Sequence, residues 1–149
     1  MALDYDLDLV TNLDSNEALT LLADKFDFQW CNENQLIGIG VIVTSFSTSN
    51  LSELSLSIFE ESYGFRSNIC VSFRLDKFAD YNRGYQSMME AVTLLLNQSK
   101  GDAVLVLNGE INVLQRIDGE LLLDSKWHSS NPDELKLPHQ IRPLTSPLL

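Results

Sequence analysis

The sequence predicts an α+β domain in which an antiparallel-rich sheet of about six strands carries two or three helices. Residues 3–11 (LDYDLDLVT) alternate apolar and polar side chains, which is typical of a strand with one buried face. Residues 80–101 repeat apolar side chains at helical spacing. Asn108-Gly109 and Asp118-Gly119 separate three apolar runs, and such pairs favour type I′ hairpin turns. We therefore expect a strand near the N-terminus, a long helix at 80–101 and three strands after that helix.

The N-terminal elements follow from a change of period. Strand 3–11 is followed by residues 13–26, whose apolar spacing is helical. Asp14 is a favourable N-cap, and Glu17 three residues later completes a capping-box pattern. Residues 36–46 are β-rich and almost continuously apolar, which predicts a single central strand.

Residues 50–64 fit two secondary structures. Leu54, Leu56 and Ile58 alternate as in a strand, whereas helical spacing collects Leu51, Leu54, Ile58 and Phe59 into one stripe. Asn50 would be the N-cap of the helix and Gly64 its C-terminal cap. We prefer the helix because both of its ends carry capping residues.

For the rest of the chain we predict a strand at 66–75, the long helix at 80–101 and a three-strand antiparallel meander ending at residue 124. We assign residues 1–127 to a single α+β domain. Residues 128–149 contain all 4 prolines and show no periodicity. We interpret this segment as an extended C-terminal tail, with Trp127 packing it against the domain.

The charge is concentrated in the first part of the chain. The net charge is −11, and residues 1–61 contribute −10, from 11 acids and Lys25. Such a surface repels nucleic acid and anionic membranes and attracts a basic partner protein, although solubility alone is also a sufficient explanation. Because we find no signal peptide and no apolar run of spanning length, we expect a cytoplasmic protein. Cys31 and Cys70 are then expected to be reduced.

No pattern of residues points to catalysis. Gly38 and Gly40 lack the third glycine of a dinucleotide-binding loop, and His128 and His139 have no metal-ligand neighbours at a suitable spacing. We therefore predict a protein without enzymatic activity, metal or cofactor. Its oligomeric state is not indicated by the sequence.

Two groups of charged residues are candidates for binding. Asp4, Asp6 and Asp8 share one face of the first strand, which is either simply solvated or binds a partner. The other group is Arg74, Asp76 and Lys77. Either Asp76 of this second group or the nearby Asp80 is expected to cap the following helix. Arg74 and Lys77 could meet an acidic group.

The order of three sequence segments resembles the Sit-type immunity proteins, the protective partners of swarming-inhibition toxins in bacterial contact-dependent rivalry. These segments are YGFRSNICVSFRLDKF (63–78), GDAVLVLNGE (101–110) and LQRIDGELLLD (114–124). The resemblance extends over residues 3–127. It implies a cytoplasmic immunity protein that binds and neutralises a cognate toxin, with no catalytic residues to carry over.

Two alternative functions belong to other classes. One is a small-ligand-binding protein or enzyme with a site between the sheet and the long helix, which would require converging charged groups in a deep polar pocket. The other is a structural or regulatory partner protein. A toxin-like reading frame beside the gene would favour the immunity protein.

Overall fold

A computed structural model of the chain describes residues 2–131 and 134–147. Met1, in the predicted domain, and residues 132, 133, 148 and 149, in the predicted tail, lie outside the described residues. In the described ranges nine strands form one sheet: β1 (Ala2–Leu9), β2 (Gln29–Asn32), β3 (Gln35–Gly38), β4 (Val41–Ser47), β5 (Ile69–Asp76), β6 (Ala103–Leu107), β7 (Ile111–Ile117), β8 (Glu120–Asp124) and β9 (Gln140–Arg142). The helices are α1 (Ser15–Lys25), α2 (Glu53–Tyr63), α3 (Tyr81–Gln98) and α4 (Ser125–Ser130).

The sheet has the order β2-β3-β4-β5-β1-β6-β7-β8-β9. Every neighbouring pair is antiparallel except β8 and β9, which are parallel. The predicted α+β class is confirmed, but the part of the chain that the structure describes contributes nine strands to the sheet and not about six.

One of the additional strands arises because the segment predicted as one central strand forms two strands. Residues 36–46 lie in the hairpin of β3 and β4, which turns at Ile39-Gly40. Gly40 has a φ of +76°, so the turn uses a conformation that glycine adopts without steric cost. The single-strand prediction was wrong because apolar residues on both sides of Gly40 concealed this turn.

The core lies between one face of the sheet and helices α1 and α3. β1 contributes Tyr5, Leu7 and Leu9, all at most 1% exposed. α3 contributes Met88, Met89, Val92, Leu95 and Leu96, also at most 1% exposed. This side of the sheet is therefore closed by tightly packed apolar side chains.

Both turns of the predicted meander are confirmed. φ is +52° at Asn108 and +71° at Gly109, and it is +51° at Asp118 and +82° at Gly119. Both central residues of a type I′ turn require positive φ. The turns therefore connect β6, β7 and β8 as antiparallel neighbours.

Helix capping follows the sequence for α1 but not for α2. In α1 the Asp14 side chain accepts from the Glu17 N–H, and Glu17 accepts from the Asp14 N–H, which forms the predicted capping box. α2 begins later than predicted, with Ser52 as its N-cap. Asn50 belongs instead to a short 3₁₀ turn, Thr48–Asn50. Gly64 ends α2 in the left-handed conformation, as predicted.

Arg116 of β7 donates hydrogen bonds to backbone carbonyls at and just beyond the C-terminal end of α3. Its guanidinium donates to the backbone carbonyls of Leu96, Ser99 and Gly101 at 2.7, 2.6 and 3.0 Å. Arg116 is only 9% exposed, and burial lowers its pKa from the ordinary arginine value, an effect opposed by the charge of Asp102. The cation thus pairs with the Leu96 carbonyl, which the last turn of the helix leaves without an intrahelical partner, and with two carbonyls just beyond the helix.

The C-terminal segment joins the sheet through β9. Gln140–Arg142 pairs with β8, and the Asp124 carboxylate accepts from the Leu144 N–H at 2.8 Å. Trp127 is buried and packs against Tyr85 of α3, with ring centroids 6.0 Å apart. The sequence did not predict β9, because a parallel strand of three exposed residues has no periodicity to recognise. The division of the chain at residue 127 stays a prediction.

Gly84 allows α3 to approach the β3–β4 turn closely. A Cβ at this position would overlap the backbone carbonyl oxygen of Gly40. Backbone atoms in a hairpin turn cannot move aside without disturbing the turn, so this contact requires a glycine.

We expect Gly84→Ala to destabilise the protein, although helix propensity alone favours alanine over glycine by roughly 1 kcal/mol. Overpacking costs typically about 1–3 kcal/mol, so a net loss is expected in a urea titration. Asn82→Ala, at an exposed position of α3, is the matched control and should be neutral or slightly stabilising. A stabilised Gly84→Ala variant would show that helix and turn are not in close contact.

Candidate functional site

The face of the sheet opposite α1 and α3 brings together residues from four neighbouring strands. We call this surface the open face, and define it by β1, β3, β4 and β5. Register places Asp4 beside Arg74, Asp6 beside Ser72, and Asp8 beside Cys70. The same alignment places Ile42, Thr44 and Phe46 of β4 beside Arg74, Ser72 and Cys70. The two charged groups predicted from the sequence thus meet here through Asp4 and Arg74.

Asp4 and Arg74 form a two-point ion pair. The Arg74 Nε donates to Asp4 Oδ1 at 2.8 Å, and its Nη2 donates to Oδ2 at 3.2 Å. The hydrogen bonds to the Asp4 carboxylate, together with the negative charge of that carboxylate, raise the pKa of Arg74. The side chain of Asp4 remains 44% exposed and that of Arg74 remains 63% exposed. Parallel hydrogen bonds fix the guanidinium in a defined orientation on the surface.

The other two aspartates of β1 lie in different environments. Asp6 accepts from the Ser72 hydroxyl, and Asp8 accepts from the Ser67 hydroxyl at 2.9 Å. Burial, together with the charge of Asp6, raises the pKa of Asp8 to about 6, although the Ser67 hydrogen bond acts in the opposite direction. The three aspartates therefore differ in their surroundings, and Asp8 is the one that the fold holds partly out of water.

The end of the open face near Asp8 is covered by α2. Phe59 and Tyr63 of α2 pack against a small apolar cluster that contains Val104 and Val106. In β6 these valines pair with Asp8 and Asp6, so they lie on the same side of the sheet. The rest of the open face, around Asp4 and Arg74, carries two surface depressions.

The two depressions adjoin one another and share Ile42 and Arg74. One has a volume of about 280 Å³ and is lined by Asp4, Gln35, Ile42, Thr44, Phe46, Ser72 and Arg74. The other has a volume of about 430 Å³ and is lined by Gly38, Gly40, Val41, Ile42, Arg74, Leu75 and Asp76. Together they surround one oriented cation with both polar and apolar side chains.

Exposed apolar side chains border these depressions. Ile37, which lies beside Ile42 in the register of β3 and β4, is 42% exposed, and Phe46 is 38% exposed. Sequence reasoning missed Phe46 and Ile42 because it interpreted their segment as a strand buried on both faces. The alternation of Val41 and Val43 with Ile42 and Thr44 in burial is the pattern that distinguishes the two faces.

Asp76 is the last residue of β5, and Lys77 follows it. The Asp76 carboxylate accepts from the N–H groups of Phe78 and Ala79 at 2.9 and 3.1 Å, which lowers its pKa. Asp80 is the N-cap residue of α3, but it makes no side-chain capping bond. The predicted side-chain cap of α3 was therefore wrong: Asp76 stabilises the preceding turn, and Lys77 is an exposed neighbour in that turn.

Both cysteines are free thiols. Cys31 is exposed, whereas Cys70 is buried on β5. Burial raises the pKa of Cys70, and the charges of Asp8 and Asp6 act in the same direction. The thiolate that a nucleophile or metal ligand requires is therefore disfavoured at Cys70.

Residues 2–131 and 134–147 contain no group of three or more His, Cys, Asp or Glu residues arranged to hold a metal ion. Within the same ranges, no helix combines the length and apolar character needed to cross a membrane.

Comparison with protein families identifies a matching family. The family model described as SitI3-like matches residues 3–134. The match therefore includes β1 to β8, all strands of the open face and α2. No curated protein and no solved structure matches the chain.

Proposed function

We propose, from the premise that the chain belongs to the SitI3-like family, that it is an immunity protein without catalytic activity. In this proposal it binds a cognate toxin in the cytoplasm and blocks it through the open face. The family name indicates the class of protein, while the surface, the partner's charge and the cellular location are our proposals.

The Asp4–Arg74 pair is the observation that supports this role most strongly. It presents an oriented guanidinium among exposed apolar side chains, including Ile37 and Phe46. Arginine and aromatic residues are enriched in protein interfaces and often contribute most of the binding energy. A toxin carboxylate or backbone carbonyl could accept from Arg74, while apolar toxin side chains cover Ile42 and Phe46.

The alternative site between the sheet and α3 is occupied by the core. Met88, Val92 and Leu95 of α3 are fully buried there, as are Val71 and Phe73 of β5. A ligand site requires a cavity with a few polar groups pointing into it. The packing at this location thus supports the binding protein over the enzyme or small-ligand protein.

The proposal is tested with the purified product of a toxin-like gene adjacent to this one. We expect the protein to capture that product in a pull-down. Arg74→Gln should weaken the capture at least about tenfold, as for a central interface residue. Lys126→Gln, in α4 on another part of the chain, should bind like the parent. An adjacent-gene toxin that is not captured, or that binds Arg74→Gln like the parent, would contradict the proposal.

The acidic N-terminal part of the chain leads to a kinetic prediction. If Asp4, Asp6 and Asp8 attract a basic toxin, association should slow by about tenfold or more between about 0.05 and 0.5 M salt, because ions screen the attraction. Replacing all three by asparagine should lower the association rate further and change dissociation less. Surface-binding kinetics measure both rates. A salt-insensitive association rate would reduce the acidic residues to a solubility feature.

A further inference from the structure

Helix α2 exposes the apolar stripe that its sequence predicts. Leu54 is 71% exposed and Ile58 is 48% exposed, while Leu51, just before the helix, is 43% exposed. α2 contains no buried residue. An amphipathic helix ordinarily turns such a stripe toward the core of its own domain. We call Leu51, Leu54 and Ile58 the α2 ridge.

Other sides of α2 attach it to the domain. Phe59 and Tyr63 pack with their rings tilted and the ring centroids 4.9 Å apart, and Phe59 meets Phe65 edge-on at 5.3 Å. The rings of Phe59 and Tyr63 pack against the apolar cluster of Phe65, Val104 and Val106. This attachment leaves the ridge uncovered, because Leu54 and Ile58 are rotated roughly 100–140° from Phe59 around a helix of 3.6 residues per turn.

Arg66 binds a third side of α2, which differs from the side of the ridge and from the side of Phe59 and Tyr63. Its Nη2 donates to Glu53 Oε1 at 2.7 Å, and its Nε donates to Glu60 Oε1 at 2.9 Å. Nη2 also lies 3.3 Å from the hydroxyl of Ser57. Glu53, Ser57 and Glu60 are spaced by four and three residues, so they share one face of the helix. The ridge is thus displayed on a helix that is fixed from two other directions.

Charge selects the kind of partner that fits this ridge. Glu53, Glu60 and Glu61 flank it, and Arg66 supplies one positive charge, which leaves 1 − 3 = −2. Residues 1–61 as a whole carry −10, from 11 acids and Lys25. A second copy of the chain would bring like charges together, whereas a basic partner would complement the ridge.

We propose that the α2 ridge is a docking site for an amphipathic helix of a partner protein, with apolar residues along one face and lysine or arginine beside them. Helix recognition of this kind uses apolar anchors spaced by three, four and seven residues. The proposal goes beyond the toxin-binding function. It assigns a second surface, and it holds whether or not the helix belongs to a toxin.

A synthetic peptide tests this chemistry directly. The probe is a fluorescent lysine-leucine peptide of about 18 residues, long enough to form a helix, with its leucines aligned on one face. Its control has the same composition in an order that distributes the leucines around the helix. In fluorescence anisotropy we expect the aligned peptide to bind at least about tenfold more tightly than the scrambled one.

Variants then locate the binding site. Leu54→Gln/Ile58→Gln retains good helix formers and should weaken binding of the aligned peptide at least about tenfold. Phe78→Gln removes another apolar side chain, which is 79% exposed, and should bind like the parent, as should Arg74→Gln. Circular dichroism should show that all three variants fold.

Three results would overturn the docking site. These are equal binding of the aligned and scrambled peptides, unchanged binding by the double variant, and absence of binding by the parent. Sedimentation of the parent tests the other occupant: a dimer that disappears in the double variant would assign the ridge to a second copy. A failed toxin capture with retained peptide binding would reject only the proposed function, and the converse would reject only the ridge.

Discussion

Replacing Arg116 by methionine is expected to lower the free energy of unfolding by about 3 kcal/mol, since hydrogen bonds to charged groups contribute about 1.5–3 kcal/mol each and desolvation offsets part of their sum. The substitution keeps an unbranched apolar stem but removes every donor. The carbonyls of Leu96, Ser99 and Gly101, at the end of α3, would lose their Arg116 partner. For a chain of this length, the loss corresponds to a fall in melting temperature of roughly 10 °C.

Thermal and urea unfolding of Arg116→Met measure this loss, and Arg116→Lys is the matched control. Lysine keeps the charge but lacks the planar fork that reaches three carbonyls, so we expect an intermediate loss. A methionine variant within about 0.5 kcal/mol of the parent, the range of ordinary surface substitutions, would mean that Arg116 does not stabilise the end of α3.

Asp8→Asn is expected to stabilise the protein at pH 7, by about 2 kcal/mol. Burial raises the pKa of Asp8 from 3.8 to about 6, and each unit of such a shift corresponds to about 1.4 kcal/mol. Asparagine removes the charge, and its carbonyl oxygen can still accept from the Ser67 hydroxyl. The variant therefore avoids most of the cost of holding an ionised carboxylate partly out of water.

The pH dependence of this gain has a definite sign. Between about pH 4 and 6 the folded parent holds the Asp8 proton more tightly than the unfolded chain does, so Asp8 lowers stability as pH rises through this range. The advantage of Asp8→Asn should therefore be largest at pH 7 and nearly absent at pH 4. Urea titrations at the two values measure the difference.

Ser67→Ala provides the opposite test at the same site. The Ser67 hydroxyl lowers the pKa of Asp8 by donating to the carboxylate. Its removal should raise that pKa further and destabilise the protein more at pH 7 than at pH 4. An Asp8→Asn variant with the same gain at both pH values would show that its effect does not arise from ionisation of Asp8.

A destabilising carboxylate at Asp8 fits the proposal that the acidic strand attracts a basic toxin over a distance. Charged groups that reduce stability commonly occur at functional sites, where binding and stability impose different demands. The variant with asparagine at positions 4, 6 and 8 should be more stable than the parent and should associate more slowly with the toxin. Such a result would show that the acidic strand lowers stability and speeds association in the same protein.

Local sequence predicts the elements that specify themselves. Asn108-Gly109 and Asp118-Gly119 determine their turns through their own backbone preferences, and Asp14 with Glu17 caps α1 within four residues. The same kind of reasoning fails for β2, because its four residues are all exposed and carry no alternation. Ser52 displaced Asn50 as the cap of α2 because several adjacent polar residues compete for this position.

The candidate site depends on contacts that no local pattern contains. Asp4 and Arg74, 70 residues apart in sequence, are predicted separately, but their pairing follows from the register between β1 and β5. The alignment of Phe46 with Cys70 similarly depends on how β4 joins β5. The outward orientation of Leu54 and Ile58 depends on which side of α2 meets the sheet, and hence on long-range packing.

Growth protection by open-face variants tests the central claim most directly. Cells that express a toxin-like product encoded beside this gene are supplied with the parent, Arg74→Glu or Glu90→Lys. The last variant reverses the charge at an exposed position of α3. We predict that the parent and Glu90→Lys restore growth, whereas Arg74→Glu, folded by circular dichroism and present at equal levels, does not. Full protection by Arg74→Glu would contradict neutralisation through the open face.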